Sequence, residues 1–285
     1  MKQLPWSRAV STAFLCAGMA LAAASAARAA EVEMTFYGNQ HFRLASPGGK
    51  VILINPWIKG NKDAGIDVGF YKKGEVDLIL PTAGHDDDMG QTVEIAASTG
   101  ATVFVVSELG TWMEGEIEKL GGSRKQIVRG AISGRYKLGD ITVQILLSQH
   151  GTGITGPKES PARLYGGPAA GFLITFENGL KLLMAGSTGL TMDLQLYGMR
   201  YQPHIAMVPV MGRFMMHPDD AAYATKLLMT DNPNLKTVIP QHTRVKGRPP
   251  WAGTPDQFEE EVKKLGLDVK VLKPQLGKAY TLTKM

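Results

Sequence analysis

The chain has 285 residues, 31 basic and 26 acidic side chains, a formal net charge of +5 and one cysteine. Lys2 and Arg8 lead into an apolar run from Ala9 to about Ala24, and small residues end at Ala27-Arg28-Ala29, an A-x-A cleavage pattern. The run is short and closed by small residues, so a secretory signal peptide over 1–29 is expected rather than a membrane anchor. Cleavage removes Cys16, which excludes disulfides, zinc–thiolate sites and cysteine nucleophiles from the mature chain. It also removes Lys2, Arg8 and Arg28 and no acid, lowering +5 to +2, so no nucleic-acid surface is indicated. A periplasmic or secreted location, free of the membrane after cleavage, is the expectation.

About 255 residues remain, undivided by any linker, low-complexity tract or block of like charge, and a single domain over 30–285 is expected. Met34–Gly38 and His41–Leu44 read as strands, and Ser46-Pro47-Gly48-Gly49 as a turn answered by the strand Lys50–Ile54. Asn55-Pro56-Trp57 ends that strand, and a polar, glycine-spaced loop runs from Asn61 to Tyr71. Val76–Leu80 is an apolar strand that stops at Pro81. Thr82-Ala83-Gly84-His85-Asp86-Asp87-Asp88-Met89-Gly90 follows it, three aspartates and a histidine fenced by glycines. Adjacent carboxylates repel unless water or a cation relieves them, so this loop reads either as a metal site or as an acidic turn at a helix start.

Thr92–Ala97 and Glu108–Leu120 fit helices, and between them Thr102–Val106 is β-branched and apolar, as strands buried on both faces are. Lys125–Val128 and Ile141–Leu147 are further strands, the second delivering His150 just past its end. A glycine- and proline-rich loop spans Gly151–Pro168; loops of that length in compact domains are commonly functional. Gly171–Phe176 and Leu180–Met184 flank Asn178-Gly179, a two-residue hairpin signal, and lead to Ser187. His204–Pro209, Thr237–Pro240, Asp268–Leu272 and Lys278–Thr283 read as strands, and Pro218–Met229 and Pro255–Leu265 as helices. His242 follows the strand at Pro240. The order, β-rich and then βα twice over, predicts an α/β fold of two sheets packed face to face with helices outside.

In order and spacing these segments resemble the metallo-β-lactamase superfamily, and within it metal-dependent hydrolases similar to ascorbate-phosphate lactonase. The resemblance rests on Thr35–Gly38, Leu53–Trp57, Asp77–Thr82, Gly90–Ala96, Gln149-His150-Gly151, Tyr165–Phe172, Ala185–Leu190 and Ile239–His242. It implies an αββα sandwich of two mixed sheets, with a metal site at one edge between them. The family loop T-H-x-H-x-D-H stands here as Thr82-Ala83-Gly84-His85-Asp86-Asp87-Asp88, so two histidines are replaced, by Ala83 and Asp88. The bridging acid of the G-D-T-G setting is Ser187, and an acid common near the second strand end is Asn55. By family geometry Ala83, His85 and His150 would form the first metal position, which leaves two ligands. Asp87, Asp88 and His242 would form the second.

The resemblance therefore implies one divalent cation, Zn²⁺ or Mn²⁺, held among His85, Asp87, Asp88, His150 and His242. Asp86 or Asp88, where not ligating, could accept a proton. Ser187 is a candidate substrate contact, a spent ligand or, without an assigned base, a nucleophile. Arg244 is a candidate anion contact, with Lys246 and Arg248 close by in sequence. Met211, Phe214, Met215 and Met216 are candidates to line a pocket or cover the core. His41, His204 and His217 read as structural or surface residues. Two functions follow: a hydrolase of a small ester, lactone, amide or phosphoester, or a degenerate relative that binds a small molecule, metal or protein without turnover. A small-molecule substrate is expected as partner, and nothing in the sequence excludes a homo-oligomer.

Overall fold

A computed structural model describes residues 31–155 and 162–284; the segment 1–29 expected to be a signal peptide and the centre of the Gly151–Pro168 loop lie outside the described residues. The chain enters as β1 (Val32–Phe36), β2 (Phe42–Ala45) and β3 (Val51–Ile54), antiparallel in sequence, then β4 (Leu78–Leu80) beside β3 in parallel. Two helices follow, α1 (Asp86–Met89) and α2 (Thr92–Thr99), then β5 (Thr102–Val106), α3 (Ser107–Lys119) and β6 (Ile127–Gly130). The second half repeats this logic. It has β7 (Arg135–Leu138), β8 (Ile141–Leu147), the small β9 (Gly153–Ile154) and β10 (Leu164–Tyr165), β11 (Ala170–Thr175) and β12 (Lys181–Met184). It then alternates α4 (Asp193–Tyr201), β13 (Ile205–Pro209), α5 (Pro218–Met229), β14 (Thr237–Gln241), α6 (Pro255–Lys264), β15 (Lys270–Val271) and β16 (Ala279–Leu282).

Two seven-stranded mixed sheets result, ordered β16-β1-β2-β3-β4-β5-β6 and β15-β14-β13-β12-β11-β8-β7. The last strand crosses back to pair antiparallel with β1, closing the first sheet rather than the second. Side-chain alternation explains why the second sheet is buried on both faces. Val143, Ile145, Phe172, Ile174, Leu182, Met184, Met207 and Ile239 point into the core shared with the first sheet. Their neighbours Leu146, Leu173, Leu183, Ala206, Val208 and Val238 point out against α4, α5 and α6. On the first sheet's outer side Ile95, Ala96, Leu109, Met113 and Ile117 of α2 and α3 cover the strands. This is the αββα sandwich expected from the sequence.

Three local differences have physical causes. Phe176 N–H donates to Leu180 O (2.9 Å) and Gly179 N–H to Phe176 O (2.8 Å), so the hairpin loop has three residues, with Gly179 left-handed, instead of a two-residue Asn-Gly turn. Strand β7 escapes the sequence pattern because it is an edge strand with exposed and half-buried residues alternating. Helix α4 escapes it because its short apolar face has only Leu194, Tyr197 and Gly198 buried. Gly198 is required there: a Cβ would stand 2.3 Å from Leu228 O, so glycine lets α4 cross α5 at backbone distance.

Candidate metal centre

Loops leaving β4, β8, β12 and β14 converge on one edge between the sheets. Ala170 N–H donates to Thr82 O at 2.7 Å, tying the β4 loop to the start of β11. Asn39 and Thr243 exchange both backbone hydrogen bonds, at 2.8 and 3.0 Å, tying the β1–β2 turn to the β14 loop. Asn39, Asn55 and His242 are non-glycine residues with positive φ, at 57°, 45° and 60°. Such backbone costs about 1–3 kcal/mol per residue and persists where the surroundings over-determine it. All three lie at this edge.

The three consecutive aspartates form the one-turn helix α1, capped by His85. Successive helical residues project about 100° apart, so the three carboxylates leave in different directions. Asp86 is exposed and accepts from Thr155 Oγ1 at 2.9 Å. Asp87 meets His242 Nε2 (3.1 Å), Asn39 Nδ2 (3.1 Å) and Arg244 Nη2 (3.7 Å) through one oxygen. Asp88 is fully buried. Gly90 ends the turn with φ 53°, and a Cβ there would stand 2.4 Å from the Pro56 carbonyl, so the loop closes only on glycine.

Asp88 organises the centre. Its Oδ1 accepts from Gln40 Nε2 (2.6 Å), Ser187 Oγ (2.7 Å) and Thr82 Oγ1 (2.9 Å). Thr82 is itself held by Asn55, which donates to its hydroxyl (2.9 Å) and accepts from its amide (2.8 Å). Asn55 thus acts as a buried bracket. The other oxygen, Oδ2, is buried with no hydrogen-bond partner and lies 3.5 Å from His85 Nδ1. Ligand atoms of His85, Asp88 and His150 all lie within 4.8 Å of one another, and the two imidazoles stack edge to face at 5.1 Å. A buried carboxylate oxygen without a donor, facing two imidazoles, fits a divalent cation: two histidines and one carboxylate form a three-ligand set that leaves positions open for water or substrate.

The electrostatics divide the two imidazoles, since a cation here must displace the proton that Asp88 favours on His85. Asp88 holds the His85 imidazole above its usual pKa despite half burial, while burial pushes His150 down and favours its neutral, ligating form. Burial acts to raise Asp88, but the His85 contact and the Ser187 hydrogen bond outweigh it and keep the carboxyl below its ordinary range. Asp87 is likewise held well below that range against burial, by His242, Asn39 and Arg244.

The sequence-derived candidates therefore divide. His85, Asp88 and His150 come together; Asp87 and His242 pair with each other beside them, with Arg244 adjacent. The Asp88 carboxylate thus lies with His85 and His150, while Asp87 and His242 contact each other. Ser187 Oγ also lies 3.2 Å from His242 Nδ1, whose Nε2 meets Asp87, but the single hydroxyl proton is given to Asp88. Ser187 is 1% exposed and gives its closest contact to Asp88, so it orients that carboxylate instead of facing a substrate.

A cavity of about 350 Å³ opens above the trio, lined by all three aspartates, His85, His150, His242, Arg163, Arg244 and an apolar wall from Met211 to Trp251. Asn39, Gln40 and Arg163 were not singled out from sequence. Asn39-Gln40 is a polar pair between two apolar strands, a signal that could have marked it. Arg163 had none, since its place depends on how the β9–β10 hairpin folds over the site.

The family model described as a beta-lactamase superfamily domain matches residues 33–242. A UPF0173 metal-dependent hydrolase of Thermodesulfovibrio yellowstonii is 33% identical over 255 residues, 88% of this chain and 92% of its own length. A second, from Myxococcus xanthus, is 33% identical over 260 residues, 91% of this chain and 87% of its own. Among solved structures, a metallo hydrolase from the archaeon Ignicoccus hospitalis superposes with a TM-score of 0.72 at 26% identity, covering 88% of this chain and 98% of that one.

Proposed function

This chain belongs to the metallo-β-lactamase superfamily, and on that premise we propose that it is a periplasmic or secreted hydrolase. It would use one divalent cation, Zn²⁺ or Mn²⁺, to cleave a small ester, lactone, amide or phosphoester. The observation that carries the reading is the buried Oδ2 of Asp88, without a hydrogen bond among the described residues and 3.5 Å from His85 Nδ1, in a group with His150. The names of the two bacterial relatives support metal-dependent hydrolysis, and the leader 1–29 supports export.

His85, Asp88 and His150 would hold the cation, which when bound lowers the pKa of a water and polarises the oxygen of the scissile bond. Gln40, Thr82 and Ser187 fix the Asp88 carboxylate so that Oδ2 keeps its direction. Asp86 is exposed on the cavity wall, where among the described residues only its Oδ1 is tied, by Thr155, and is the carboxylate placed to accept a proton. Asp87 and His242 satisfy each other and brace the β14 loop.

Metal analysis of the mature protein purified without added metal tests the reading. Near-stoichiometric metal, lost in His85→Ala and His150→Ala, is expected; none retained after dialysis against Zn²⁺ and Mn²⁺ would overturn it. A non-hydrolytic binder is the second reading, favoured by Ser187 at the bridging-acid position and by the closed Asp87–His242–Arg244 network. Bound metal without turnover of any ester, lactone, amide or phosphoester would select it.

A further inference from the structure

We propose that Arg163 and Arg244 form a clamp for an anionic oxyacid group, so that the cavity takes a small molecule joining a carboxylate or phosphate to an apolar or aromatic body. This names the substrate class of the site above and rests on that reading for the bound cation as well as for turnover.

Both guanidiniums line the same cavity as His85 and His150, from opposite parts of the chain. Arg244 lies over the Trp57 ring at 5.0 Å; its one ion pair, to Asp87, is long at 3.7 Å, and its buried Nε has no acceptor. Arg163 uses Nη1 on Gly153 O (3.0 Å) and is otherwise exposed. A guanidinium carries five donors in a planar fork that matches carboxylate and phosphate, and here most remain uncommitted among the described residues. With a divalent cation in place, the two arginines and the ion outweigh the three lining carboxylates, so the cavity favours an anion.

The body of the ligand is specified by the apolar lining of the same cavity. Phe214 and Trp251, 60% and 37% exposed, meet edge to face at 5.8 Å, and Arg213 sits 5.3 Å over each ring. The wall is braced where Gly253 N–H donates to Met211 O at 2.9 Å. Large exposed aromatics on a fixed wall beside a polar centre are the features of a site for an apolar group.

The test uses the metal-loaded mature protein and 4-nitrophenyl esters matched in length, with a neutral acyl chain, one ending in carboxylate and one ending in phosphate. One anionic ester is expected to exceed the neutral one by about tenfold in kcat/KM, chiefly through KM. Which anion wins distinguishes the two oxyacids. That ratio should fall towards unity in Arg163→Met and in Arg244→Met and persist in Arg200→Met, an exposed cation on α4. Arg163 is exposed, so its variant is not at risk of misfolding. A ratio near one in wild type, or one kept by both cavity variants, would overturn the clamp. If no ester turns over, tryptophan quenching by naphthalene-2-carboxylate and 2-naphthyl phosphate against 2-naphthalenemethanol decides. Tighter binding of an anion, lost in the two variants, upholds the clamp while the hydrolase reading fails; equal binding rejects the clamp itself.

Discussion

Asp88→Asn is the substitution that isolates the metal centre. The amide oxygen keeps an acceptor for Gln40, Thr82 and Ser187, while the atom facing His85 and His150 becomes an uncharged NH₂ that cannot ligate. A ligand that binds only the folded state at about 100 times its Kd stabilises by about 2.7 kcal/mol. At about 2–4 °C per kcal/mol for a chain of this length, that is a Tm rise of roughly 5–11 °C. Removing an outer-shell partner costs about 10–100-fold in affinity, so about 100-fold is a lower bound for a direct ligand. At the same metal concentration the variant would then gain about 0.4 kcal/mol, a shift of roughly 1–2 °C. Ser187→Ala, which removes one of three donors to Oδ1, should weaken binding by about tenfold and keep roughly half the shift. Asp87→Asn, outside the trio, should keep the shift. The assay is thermal unfolding of each variant with and without Zn²⁺ or Mn²⁺, read against its own metal-free Tm. A full shift in Asp88→Asn, or its loss in Asp87→Asn alone, would refute the assignment.

Two further outcomes are expected. The triple variant Ala83→His/Asp88→His/Ser187→Asp should raise bound metal from one equivalent towards two by elemental analysis. An unchanged occupancy would show that the Asp87–His242–Arg244 network closes the second position. His41 is fully buried against Tyr71 (3.1 Å), and burial depresses its pKa from 6.5 to about 3. The unfolded chain takes up this proton below 6.5 and the folded one does not until about 3. The stability is thus complete above 6.5 and falls by about 1.4 kcal/mol per pH unit down to about 3. Urea unfolding between pH 4 and 7 should show one proton less of uptake in His41→Gln; parallel curves would contradict it.

Much of the molecule was legible in the chain order. Strands β3, β4, β5 and β8 declare themselves by predominantly apolar runs, because strands buried on both faces leave few polar positions to confuse the period, Gln144 of β8 being a buried exception. The placement of His85, His150 and His242 just past strand ends made a shared edge the natural expectation. The edge strand β7 and the short helix α4 were not legible, since each buries too little to impose a pattern.

The sequence by itself determined the fold class, the altered ligand set and the histidines at strand ends. Only the tertiary structure decided which aspartate serves them. Three adjacent carboxylates are equivalent in a sequence, but one helical turn sends Asp86 to solvent, Asp87 to His242 and Arg244, and Asp88 into the buried site. Asn39, Gln40 and Arg163 reach the centre through pairings between chain segments far apart, from the Asn39–Thr243 bridge to the β9–β10 hairpin. Local pattern records what each residue prefers; which residues meet is set by how two sheets close on one edge.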